Sequence, residues 1–149
     1  MARTVHTAEA TEHLSPGRWG RADTALLTLA AVTLTLVAAQ FALAGLGAFT
    51  MVKTPADNAY GAHEVLGVVI GVLTWLTAAA ALTSHAARAH RPTAWRAVAL
   101  ALLAIPVEPL LGDTGQHVPA IGALHALTGL AIVALAGWLT AETARRRPG

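Results

Sequence analysis

Charge-free apolar stretches alternate along this chain with short polar breaks. Residues 24–52, 65–84 and 126–141 contain no charged residue at all. A fourth stretch, residues 97–107, is apolar until Pro106, Glu108 and Pro109 interrupt it before Leu110 and Leu111. About 20 apolar residues in helical form cross a bilayer. The pattern therefore predicts helices at about residues 23–52, 55–84, 94–112 and 118–143. Thr54-Pro55 and Val118-Pro119 have the cap-then-proline order that opens a helix. The prolines predict that the third helix is short or kinked and packs against partners rather than lipid. The expected fold is all-α, an integral membrane four-helix bundle spanning residues 23–144. Residues 1–22, broken by Ser15-Pro16-Gly17, and residues 145–149 read as polar tails. Ala42-Leu43-Ala44 is similar to a leader-cleavage site. The apolar run before it exceeds the usual 7–15 residues or so of such leaders, so helix 1 is expected to be retained.

Composition agrees with this class. Hydrophobic residues make up 55% of the 149, charged residues only 12%, and mean hydropathy is +0.57. Cysteine is absent. Disulfides, thiolate metal sites and covalently attached haem are thereby excluded, and histidine is left as the main soft ligand.

The pI of about 9.9 reflects topology rather than a nucleic-acid footprint. Arg3, Arg18 and Arg21 precede helix 1; Arg88, Arg91 and Arg96 lie between helices 2 and 3; Arg145, Arg146 and Arg147 follow helix 4. Lys53 alone falls in another connection. Basic residues in alternate connections predict a plasma-membrane protein with both termini cytoplasmic.

Helices 2 and 4 each carry His-x-x-x-Gly near the start, at His63–Gly67 and His125–Gly129, and Trp-Leu-Thr-Ala later, at Trp75–Ala78 and Trp138–Ala141. The copies slip by one residue before the tryptophan. They are consistent with two parallel helix-pair repeats or with chance similarity in apolar sequence. Counted along the helix, His63 lies about 12 Å beyond Pro55 and His125 about 9 Å beyond Pro119, so the two imidazoles share a depth. An imidazole in hydrocarbon is costly without a partner, which makes each a candidate functional residue. Gly67 and Gly71 beneath His63, and Gly129 beneath His125, share a face with their histidine and offer room for something flat. A b-type haem held by His63 and His125 fits that description. Two other readings stay open. The histidines can hydrogen-bond across helices, to Gln40 or Glu108, with the glycines serving helix packing, or they can line a proton or solute pathway together with Gln40 and Glu108. Glu108 by itself reads as a solvated helix end, and Gln40 as an interhelical hydrogen-bonding group. Lys53, Gln116 and His117 are weaker candidates for contacts to haem propionates.

The segments Gln40-Phe41-Ala42-Leu43-Ala44-Gly45-Leu46-Gly47, His63–Gly67 and Leu124-His125-Ala126-Leu127 together resemble one half of haem A synthase and, more broadly, four-helix membrane b-type cytochromes. They are also similar to a family of small actinobacterial membrane proteins. The resemblance covers the four helices and not the tails. It implies haem binding in the membrane, with a quinone or a membrane redox protein as partner. Glu64 follows His63 and no arginine adjoins it, unlike the Glu-x-x-His-Arg-like surroundings in haem A synthase, so the resemblance does not extend to that enzyme's oxygenase activity. No hydrolase nucleophile motif, phosphate loop or dinucleotide fingerprint is present, and the short loops leave no soluble catalytic domain.

Overall fold

The computed structural model describes residues 19–53, 60–84 and 90–147, with side chains in α1 described through Phe49. Helix α1 spans Arg21–Lys53, α2 Gly61–Thr83, α3 Arg91–Leu102, α4 Glu108–Gly115 and α5 Pro119–Arg145. A kinked turn, Leu103–Val107, joins α3 to α4. Four segments are long and apolar enough to cross a membrane: Arg21–Phe49, Gly61–Thr83, Arg91–Gly115 and Pro119–Arg145. The all-helical, four-segment expectation therefore holds. The proposed opening of helix 2 at Thr54-Pro55 lies outside the described residues, as do His85 and the side chain of Lys53.

The third segment bends where its prolines require. Ile105, immediately before Pro106, leaves the helical region, with φ −149° and ψ 119°. Pro106 also has no N–H to offer the preceding turn. Helix resumes at Glu108, with Pro109 in its tolerant first turn. Pro119 likewise stands at the start of α5, after an extended Val118.

Around the bundle, α1 packs on α2 and α5, α3 packs on the same two, and α4 lies along α5. Helices α2 and α5 thus face each other diagonally across the bundle axis. The core is built largely of alanine: Ala30, Ala78, Ala81, Ala97, Ala101, Ala104 and Ala136, keyed by Leu26, Leu100, Ile132 and Leu139. Small residues let helix backbones approach closely, which is how helices associate when lipid offers no hydrophobic drive. Large apolar side chains such as Val65, Val68, Leu76, Leu127 and Leu130 point outward. That inverted surface is what a lipid solvent favours.

The two Trp-Leu-Thr-Ala stretches do not occupy equivalent positions. Trp75 and Leu76 are exposed, whereas Leu139 is buried and Trp138 carries the Arg96 guanidinium 3.8 Å from its ring centre. The one-residue slip between the copies rotates the second by about 100° about its helix axis. As a result different members of each motif reach the core.

Candidate functional site

His63 sits in the first turn of α2 and His125 in the second turn of α5. Their imidazole centres lie 6.3 Å apart, with ring planes inclined at 68°. The shared depth and shared interhelical space expected from the sequence are both present. Tyr60 approaches His63 edge-on at a further 6.3 Å.

Each imidazole is anchored through Nδ1. His63 Nδ1 lies 3.2 Å from the backbone carbonyl of Gln40, and the Gln40 side-chain amide returns a 2.8 Å bond to the His63 carbonyl. A carbonyl only accepts, so Nδ1 of His63 carries the proton. His125 Nδ1 lies 2.5 Å from the Glu108 carboxylate and 3.2 Å from the Glu108 carbonyl. Thr128, three residues beyond His125, donates its hydroxyl to the other Glu108 oxygen at 2.5 Å. Neither Nε2 has a hydrogen bond among the described residues. Each of two neighbouring rings is thus left with an Nε2 that has no hydrogen bond among the described residues.

Glu108 corrects one sequence expectation. The flanking prolines place it where the kink ends, but its side chain is only 14% exposed and is engaged by His125 and Thr128. The bend turns the carboxylate toward α5 instead of releasing it to solvent. Gln40 has the interhelical role expected of it, although its Oε1 is buried without a partner. Gln116, His117 and His90 are exposed and stand apart from this cluster.

The glycines are occupied by protein. A Cβ on Gly67 would stand 3.2 Å from the Gln40 amide, one on Gly71 2.6 Å from Ile105 Cγ1, and one on Gly129 3.2 Å from Phe41 Cζ. Sequence reading missed Gly112, where a Cβ would meet the His125 ring at 3.3 Å. Four residues separate Gly112 from Glu108 on one helix face, a spacing that was visible in the chain. Thr128 was visible in the same way, on the His125 face.

Replacing Glu108 with alanine removes an acceptor from both His125 and Thr128. Interhelical hydrogen bonds in membranes are worth roughly 0.6–2 kcal/mol each. The Glu108→Ala protein is therefore expected to unfold at a clearly lower temperature in detergent, with Glu108→Gln in between. An unchanged midpoint in Glu108→Ala would mean that this network contributes nothing.

Among the described residues no group of three His, Cys, Asp or Glu side chains is arranged to hold a metal ion. The donor set is two imidazole nitrogens. No protein-family model, no curated protein and no solved structure matches the chain.

Proposed function

We propose that this chain is a plasma-membrane protein with both termini in the cytoplasm that holds one b-type haem between His63 and His125, and that it serves electron transfer or haem handling. The observation that carries the reading is the pair of anchored imidazoles whose Nε2 atoms are left unbonded. A metal-ligating histidine typically donates its other nitrogen to a carbonyl or carboxylate, which fixes the tautomer and raises ligand basicity. Gln40 and Glu108 supply one of each. The two rings also stand close together, 6.3 Å between centres. A bare ion would gain only two protein nitrogens here. Haem iron brings four nitrogens of its own and asks the protein for two, which suits this donor set.

When bound, haem supplies one-electron redox chemistry. The chain's residues hold and tune it. His63 and His125 would ligate it, and Gln40 and Glu108 would orient the two rings. A quinone or a membrane redox protein is the partner such a centre calls for. Purified protein from cells supplied with haem is expected to be coloured, with distinct oxidised and reduced absorption spectra. Colourless, well-folded protein under those conditions would overturn the reading.

One observation favours a second reading, in which the histidines only clamp helices. Gln40, Ile105 and Phe41 already fill the spaces over Gly67, Gly71 and Gly129. A porphyrin using those grooves must displace the Gln40 and Phe41 side chains.

The orientation rests on nine arginines in alternate connections and one lysine in another. Reporter fusions after Arg91 and at the C-terminus should read cytoplasmic, and fusions near Lys53 or Asp113 exterior. A cytoplasmic reading at Asp113 would show that the kinked segment does not cross.

A further inference from the structure

At the end of the bundle away from the histidines, α3 and α5 meet through a charged contact. The Arg96 guanidinium carbon lies 3.8 Å from the centre of the Trp138 ring. Trp138 stands 13 residues beyond His125, about 20 Å along α5. Arg96 is five residues into α3 from Arg91, and Trp138 is seven residues before Arg145, about 8 Å and 10 Å along their helices. The pair thus lies just inside the basic rim of the bundle. In a bilayer that is the level where headgroups meet acyl chains and where tryptophan collects. Trp95, beside Arg96 in the chain and 71% exposed, fits the same level.

Stacking on the ring engages the face of the guanidinium and leaves its edge, which carries five N–H donors. Those donors have no protein acceptor: Arg96 makes no hydrogen bond or ion pair among the described residues, and its side chain is exposed. Neither carboxylate at this end serves it. Glu142 is held by Arg145 and Arg146, and Asp23 accepts the Gly20 N–H at 2.8 Å. Six arginines stand against these two carboxylates among the described residues at this end. Positive charge is therefore in excess.

We infer that Arg96, held on Trp138, is a binding site for the headgroup phosphate of an anionic phospholipid. A guanidinium edge matches two phosphate oxygens. Trp138 already restrains the side chain, so less freedom is lost when the phosphate binds. Arg96 belongs to a segment long and apolar enough to cross a membrane, Arg91–Gly115. A lipid headgroup is the phosphate already present at that level. A zwitterionic lipid would bring its own cation to a rim with positive charge to spare, whereas an anionic one neutralises it. The inference rests on the membrane placement proposed above and is independent of haem.

The test is thermal unfolding of the purified full-length protein in detergent, titrated with dioleoyl phosphatidylglycerol, dioleoyl phosphatidylcholine or soluble glycerol 3-phosphate. A saturable rise in midpoint with phosphatidylglycerol alone is expected. Arg96→Gln removes the guanidinium, and Arg91→Gln removes the same charge from the same end without touching the stack. The first is expected to weaken the apparent phosphatidylglycerol affinity roughly tenfold or more, the second by less than about twofold. Arg96→Lys keeps the charge but not the planar edge and should fall between them. Each variant is compared with itself before addition, so a lower starting midpoint does not mask the response. No response to phosphatidylglycerol, or an equal one to phosphatidylcholine, would overturn the proposal. Equal weakening by Arg91→Gln and Arg96→Gln would do the same, as the mark of a diffuse field. An equal rise with glycerol 3-phosphate would make the occupant a soluble anion and overturn it too. None of these outcomes alters a haem spectrum or a reporter fusion, so failure here is distinct from failure of either earlier reading.

Discussion

His63→Ala and His125→Ala proteins, purified from haem-supplied cells, are each expected to lose the six-coordinate low-spin spectrum, while His117→Ala keeps it. Either alanine leaves one axial nitrogen where two are needed. The change should be close to complete, because Glu108, the carboxylate at this site, is already committed to His125 and Thr128. His117 is exposed and belongs to neither Nδ1 network, so it serves as the internal control. The hydrogen-bond reading predicts something different: modest loss of stability in both alanine variants and no spectrum to lose. A low-spin spectrum that survives in both alanine variants would place the ligands elsewhere in the chain.

The largest structural effects are expected at Gly115 and Gly71. A Cβ on Gly115 would stand 2.8 Å from the Gly122 backbone, at the tight turn between α4 and α5. Backbone cannot step aside as a flexible side chain can, so Gly115→Leu must pry the two helices apart. At Gly71 the obstacle is Ile105, at the kink, and Gly71→Leu must push that side chain aside. Overpacking costs about 1–3 kcal/mol and occasionally more; Gly115→Leu should exceed Gly71→Leu and reach the upper part of that range. Gly45, with nothing within 4 Å of its Cβ position, supplies the control, and Gly45→Ala should unfold at the wild-type midpoint or slightly above. Midpoints in detergent for the three variants check the ordering. Wild-type behaviour of Gly115→Leu would contradict the close α4–α5 approach.

These residues also show what the sequence could reveal. Helix number and the kink were legible because both follow from local chemistry: charge-free length and the steric demand of proline. The nearness of His63 and His125 was expected from a depth count that began at Pro55, outside the described residues; in the structure His63 stands in the first turn of α2 and His125 in the second turn of α5, and it is their 6.3 Å separation that brings them together. Glu108 was misread because a carboxylate between prolines looks like a frayed end. Its pairing with a histidine stood only as one of the open readings, and the direction in which the kink turns α4 selects it. The glycines announced small faces but not what would fill them, because Ile105 and Phe41 arrive from other helices.

The central claim, that His63 and His125 jointly ligate one haem, is tested most directly by titrating haem into the purified wild-type protein and following its absorption. Saturation at one haem per chain, with a six-coordinate low-spin spectrum in both oxidation states, is the predicted result. No saturable binding by folded protein, or binding that stays five-coordinate, would contradict it and leave the two histidines as interhelical clamps.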